Sequence, residues 1–140
     1  MKRALLIGFL ALAAARASAF EAVTLLDYSG EEIFGRFCAA CHGESAKGDG
    51  PVARGLTKVP PDLTQISRRY GGFPVDRIRD TIDGRNLVAE HGTREMPVWG
   101  YEFWIEQGGD VVAQREMHTV INRLVEYLRS LQQESAGSRD

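Results

Sequence analysis

Two cysteines and a histidine sit together at Cys38-Ala39-Ala40-Cys41-His42, and they include both cysteines of the 140-residue chain and one of its three histidines. Thiols three positions apart on one helical turn can each add to a vinyl group of a haem, while the next residue presents an imidazole to iron. Two thioether bonds fix a porphyrin edge to the backbone, so His42 reaches the metal without packing alone having to hold the cofactor. Other uses of the same residues explain less. A reactive dithiol wants a βαβ context and a lowered thiol pKa, and alternating apolar and polar runs are almost absent here. Zinc held by Cys38, Cys41, His91 and His118 would need a second ligand pair at finger-like spacing, and that pair is neither local nor so spaced. A structural disulfide would close a very short loop. None of these accounts for the histidine directly after the second cysteine.

A haem iron held by histidine on one face needs a sixth ligand if it is to move electrons without binding small molecules, and a thioether is a common soft donor. The chain has three methionines. Met1 belongs to the N-terminal segment, and Met117 falls in a continuously helical run that makes it a core residue or a surface apolar contact. Met96 precedes Pro97, which keeps the backbone from becoming helical and leaves the thioether to be aimed at iron from a loop 54 residues beyond His42. His91 is the competing ligand and would lower the reduction potential, whereas methionine raises it. Met96 is the preferred reading, and His118 is read as an ordinary surface or hydrogen-bonded histidine.

The elements that position these groups follow from pattern. Ser29 is a natural N-cap with Glu31 and Glu32 in the first turn, and the helix it opens is expected to run from Gly30 to about Cys41. Gly30, Ile33, Phe34 and Phe37 share one face, and Gly30 lets a second helix approach closely. That partner is the amphipathic stretch from about Val111 to Gln133, with Val120, Ile121, Leu124, Leu128 and Leu131 on one side. Asp110 is its cap, and Tyr127 is the aromatic expected to meet Gly30 and Phe34. Between the two, Gly43 to Pro51 reads as a loop folding over the haem edge, with the Pro51 carbonyl the candidate acceptor for the second ring nitrogen of His42. Pro60-Pro61 imposes an extended segment. Asp62 or Thr64 caps a short helix ending at Tyr70 before Gly71-Gly72, and a second runs from Val75 to Asp83 with Gly84 as its stop. Trp99, Tyr101, Phe103 and Trp104 crowd the chain before Gly108-Gly109, where they would pack on the porphyrin or shield it. Arg54, Arg68, Arg69, Arg77, Arg79 and Arg85 form a solvated face from which one or two side chains could pair with haem propionates.

Met1 to Ala19, with Lys2 and Arg3, an apolar run and Ala17-Ser18-Ala19, reads as a secretory signal peptide cleaved before Phe20. The apolar run is too short to span a bilayer, so no stable membrane anchor is expected after cleavage. Export suits the central motif, since thiol chemistry of this kind belongs outside the cytoplasm. Losing Lys2, Arg3 and Arg16 turns 17 basic against 19 acidic groups into 14 against 19, a net charge of −5. That excludes a basic nucleic-acid binder. Residues 20–140 make one domain, whose limited core volume a covalent haem would supplement. Residues 134–140 read as a polar, frayed tail.

The order Gly30-x-x-x-Phe34, Cys38-x-x-Cys41-His42, Gly50-Pro51, Met96-Pro97 and a closing helix with Tyr127 resembles the monohaem class I cytochrome c family from about Ser29 to Gln133. The resemblance implies an all-α fold in which terminal helices cross and short helices and loops wrap one haem. It also implies one covalent haem c with its iron, Cys38 and Cys41 as thioether positions, His42 and Met96 as axial ligands, and electron transfer with transient redox protein donors and acceptors in the periplasm. The loop from Gly43 to Gly55 and the aromatic stretch from Tyr101 to Gly109 depart from the shortest members. A dedicated electron-transfer subunit of a periplasmic dehydrogenase or oxidase is the alternative, followed by a small-ligand sensor with a labile sixth position and a thiol oxidoreductase.

Overall fold

The computed structural model describes residues 24–84 and 96–132. Its helices are α1 (Gly30–Phe37), α2 (Ala39–His42), α3 (Ile66–Tyr70), α4 (Val75–Asp83), α5 (Trp99–Glu106) and α6 (Val111–Ser130), and no strand occurs among the described residues. The all-α expectation therefore holds.

α1 begins where its cap dictates. The Ser29 hydroxyl accepts from the Glu32 N–H at 3.2 Å, and Glu32 Oε2 accepts from the Ser29 N–H at 2.7 Å. This reciprocal arrangement satisfies two N–H groups the helix start would otherwise leave open. The bonds from Ser29 hold the Glu32 carboxyl below its ordinary pKa. A depressed folded-state value stabilises above the unfolded value and is lost as pH falls through the folded one. Glu32→Ala is accordingly expected to lower the urea midpoint at about pH 7 and to converge with the parent chain well below the ordinary glutamate value of about 4.3.

The first helix does not run unbroken to Cys41. Cys38 adopts φ −115° and ψ −34°, separating α1 from the single turn of α2. Its N–H still bonds the Phe34 carbonyl at 2.9 Å, while its own carbonyl accepts from both Cys41 at 3.1 Å and His42 at 2.9 Å. The thiol-bearing turn is thus tightened relative to α1.

α6 is the longest element, and its first turn is capped by Asp110, whose carboxylate accepts from the Ala113 N–H at 2.8 Å. Its buried face is Ala113, Met117, Val120, Ile121, Leu124, Val125 and Leu128, so Met117 is a core residue as its helical setting implied. α1 crosses α6 at Gly30, where the Arg123 carbonyl and the Tyr127 Cβ approach so closely that no side chain fits. The Phe34 and Tyr127 rings meet there with centroids 5.4 Å apart, the partnership expected from the sequence. Arg123 also ties the lead-in down, donating to the carbonyl of Leu26 and to that of Tyr28 at 2.8 Å.

The connecting segments follow their punctuation. Asp62 accepts from the Thr64 N–H at 2.9 Å and starts the turn Leu63–Gln65 that leads into α3. Gly71 closes α3 with φ 69°, and Gly84 closes α4 with φ 88°. Both are left-handed conformations that glycine adopts without steric cost. Gln132, just beyond α6, donates to the carbonyls of Leu63 at 2.9 Å and Leu128 at 2.6 Å and accepts from the Ser67 N–H at 2.8 Å. This one side chain pins the C-terminal helix to the start of α3.

Candidate functional site

Cys38 occupies the break between α1 and α2, and Cys41 and His42 complete the single turn that follows. Both thiols are unpaired and half-buried. Burial pushes the Cys38 thiol up to about 12, with the neighbouring Cys41 adding to the shift. A dithiol redox centre needs the opposite, a lowered pKa that supplies thiolate at neutral pH. Cys38 is therefore not set up as the reactive thiol of a dithiol redox centre.

The loop after His42 is built on backbone contacts with this turn. Gly50 donates to the Cys41 carbonyl at 3.2 Å and Val52 to that of Ala40 at 3.1 Å. A Cβ on Gly50 would lie 2.4 Å from the Ala40 carbonyl oxygen, so only glycine permits the approach. Further along, Gly48 donates to the His42 carbonyl and Leu63 to the Ala46 carbonyl, each at 2.7 Å. Gly48 is pressed against the Pro60 carbonyl. The loop is thus held between the His42 turn and the Pro60-Pro61 segment.

That path decides which carbonyl faces His42. Burial lowers the imidazole pKa, and the Pro61 carbonyl partly offsets the effect. Nδ1 itself is buried and makes no hydrogen bond of good geometry, so Pro61 lies beside the ring without completing the bond. The expectation of Pro51 in this place is corrected. Pro51 lies in the turn whose Gly50 and Val52 bond the carbonyls of α2, and it is the Pro61 backbone that acts on the His42 ring. A histidine that holds a metal through Nε2 ordinarily donates from Nδ1 to an acceptor of this kind, a bond that is not formed here.

Met96 enters the described chain directly before Pro97 and Val98, which lead into α5. It is half-buried and packs against the hydrophobic core. The start of α5 is clamped to the end of α4, because Gly100 lies against both the carboxylate and the backbone carbonyl of Asp83. That clamp fixes where the Met96 segment returns to the body of the protein. His91, the competing ligand, and Arg85 fall outside the described residues, as do residues 1–23 with the signal segment and the tail from 133 to 140. His118 is half-buried on α6.

Around these groups Phe37, Leu63, Phe73, Val75, Ile78 and Trp99 each pack on the core while remaining only partly buried. Phe37, Trp99 and Phe103 pack as one cluster, with centroids 5.3 to 5.7 Å apart. The aromatic stretch after Met96 therefore divides. Trp99 and Phe103 turn inward, and Tyr101 stays exposed beside Trp104 at 5.8 Å. The two thiols and the imidazole share one turn, Met96 packs on the same apolar core as Cys38, and these donor types with a half-covered apolar wall are the kind that would hold a haem. Among the described residues no three His, Cys, Asp or Glu side chains cluster as metal ligands.

The arginine candidates separate as well. Arg79 bonds Asp76 at 2.6 Å and Asn122 at 3.0 Å, Arg69 donates to the Asp62 carbonyl at 2.7 Å, and Arg77 lies 5.1 Å over the Tyr70 ring. Arg54 and Arg68 are exposed. Sequence reasoning missed Pro61, Arg123 and Gln132. Pro61 carried a signal, since a double proline sets a stiff path, but nothing local marks the other two.

Comparison with protein-family models matches residues 29–132 to the one described as Cytochrome c. Comparisons with curated proteins and with solved structures gave no match.

Proposed function

The chain belongs to the cytochrome c family, and from that premise we propose that it is an exported single-electron carrier whose haem is stapled at Cys38 and Cys41 and ligated by His42 and Met96. Family membership implies covalently bound haem c with its iron and haem-based electron transfer. When bound, that group supplies a reversible one-electron couple. The rest is done by this chain's own side chains. Cys38 and Cys41 anchor the porphyrin edge to a rigid turn. With Pro61 beside the ring, His42 would offer Nε2 to the metal, and Met96 would offer its thioether from the segment before α5. Methionine in that place favours the reduced state relative to a second histidine. A group held by four of this chain's own side chains would need little rearrangement on gaining or losing an electron. Residues 1–19 act as the export signal, and residues 20–140 are the periplasmic domain.

The observation that carries this reading is the His42 turn, where a buried, otherwise unpartnered ring nitrogen is set beside a single backbone carbonyl. A full chain purified from a host able to attach haem is expected to show a low-spin spectrum that sharpens with dithionite. Carbon monoxide at neutral pH is expected to leave the reduced spectrum unchanged. Ready carbon monoxide binding would instead make this a ligand-binding haem protein. A second reading, a dedicated subunit of a dehydrogenase or oxidase, draws on the exposed Tyr101 and Ile105 of α5, which are 56% and 50% accessible. Co-purification with a partner through high salt would favour that reading, because transient electron-transfer encounters use small interfaces.

A further inference from the structure

The exposed apolar surface of this protein is concentrated in one place. Seven large apolar side chains are exposed among the described residues, and four of them, Tyr101, Ile105, Val111 and Val112, fall on α5 and the first turn of α6. Tyr101 and Val111 share a surface groove with Trp104 and Asp110. Trp104 is fixed there by donating from Nε1 to the Asp110 carbonyl at 2.9 Å. Ile105 reaches across to Gly109, 3.9 Å from where a Cβ would stand.

The charge around this patch is mainly negative. From Met96 to Gln114 the chain has Glu102, Glu106 and Asp110 and no lysine or arginine, and the exposed Arg115, one turn beyond Val111, is the next cation along α6. Glu102 and Glu106 are exposed, stand one helical turn apart, and have no ion-pair partner among the described residues. Residues 54–79 contrast with this, carrying six basic groups against two acidic ones. Such a distribution gives the molecule an orientation in an electric field, which steers encounter more than it adds affinity. Behind the patch, Trp99 and Phe103 of the same helix pack on Phe37, the residue before Cys38.

We propose that this face of α5 and the start of α6 is the docking surface for a redox protein whose own contact patch is apolar at the centre and rimmed with lysine or arginine. The inference rests on the electron-carrier reading. An apolar centre excludes water at the contact, and the glutamate rim selects a cationic partner and turns it to face the helix that packs on the haem-attachment turn. Exposed charges are screened within about 8 Å at physiological ionic strength, so the encounter is salt-sensitive and brief.

The test uses the haem-loaded full chain and a fluorescent peptide probe with a Leu-Trp-Leu centre flanked by lysines. At low ionic strength, binding read by anisotropy is expected to weaken at least tenfold in Glu102→Lys/Glu106→Lys and to a similar degree in Ile105→Ser. Glu44→Lys, an exposed reversal in the loop after His42, is expected to leave it unchanged. Added salt should abolish binding to the parent chain. Equal weakening by Glu44→Lys, or none by the α5 pair, overturns the proposal. So does a concentration-dependent dimer that Ile105→Ser dissolves, because the occupant would then be a second copy of the chain. Dithionite-reducible haem in every variant separates these outcomes from failure of the carrier reading, which would show as a chain without haem.

Discussion

Replacing Cys38 and Cys41 together with alanine is expected to leave no haem on the chain after denaturing electrophoresis, where the parent protein retains all of it. Thioether bonds survive unfolding and axial ligands do not, so the experiment separates attachment from coordination. Single replacements are expected to retain haem through the remaining bond. The double variant should also lose stability. The partly covered side chains Phe37, Leu63, Ile78 and Trp99 would be without the flat apolar group proposed to complete their packing, and emptying a buried site of this kind costs about 3–5 kcal/mol by the scale of large-to-small core changes. Against a total of roughly 5–15 kcal/mol for a domain, that is enough to make the chain without haem largely unfolded. Loss of the sharp thermal transition in circular dichroism checks this.

Gly30→Val is the second large effect, and it concerns the fold. A Cβ at position 30 would lie 2.2 Å from the Arg123 carbonyl oxygen and 2.8 Å from its carbonyl carbon. These are backbone atoms inside α6 and cannot swing aside, so the two helices must separate. Separation also pulls Phe34 off Tyr127. Overpacking typically costs about 1–3 kcal/mol, with larger values where backbone must move, and for a domain of this size 1 kcal/mol is worth roughly 4 °C or more in melting midpoint. A fall on the order of 10 °C is expected, with haem still attached. Gly35→Ala is the contrast within the same helix, because a Cβ there meets nothing within 4 Å. Glycine inside a helix is less favourable than alanine by roughly 0.5–1 kcal/mol, so that variant is expected to be neutral or slightly more stable.

Much of this arrangement could be read along the chain, because the controlling interactions are local. Ser29 and Asp110 cap the helices assigned to them, Asp62 caps the turn that leads into α3 where either it or Thr64 was expected to cap the helix itself, and Gly71 and Gly84 stop theirs, since capping and left-handed closure depend on residues a few positions apart. The crossing of Gly30 and Phe34 with Tyr127 was legible for a different reason. A glycine opposite an aromatic on two amphipathic faces leaves few other ways to pack. What escaped depends on the path of the chain through space. The break at Cys38 comes from fitting a tight turn onto the end of a helix. The carbonyl facing His42 comes from Pro61 because the loop is clamped by Gly48 and Gly50, and that clamp has no signature in residue type. The bonds by which Arg123 and Gln132 reach other elements span 65 to 97 positions in sequence, beyond any periodicity. α5 showed itself only as a run of aromatics, since apolar residues on most of its faces erase the helical stripe.

The central claim is that Met96 closes the haem face opposite His42, and it is tested most directly by the far-red absorption of the oxidised full chain beside that of Met96→His. The account predicts a methionine-to-iron charge-transfer band in the parent protein and in His91→Ala, and its disappearance in Met96→His with the haem content unchanged. A band that persists in Met96→His, or one that vanishes in His91→Ala, would contradict it.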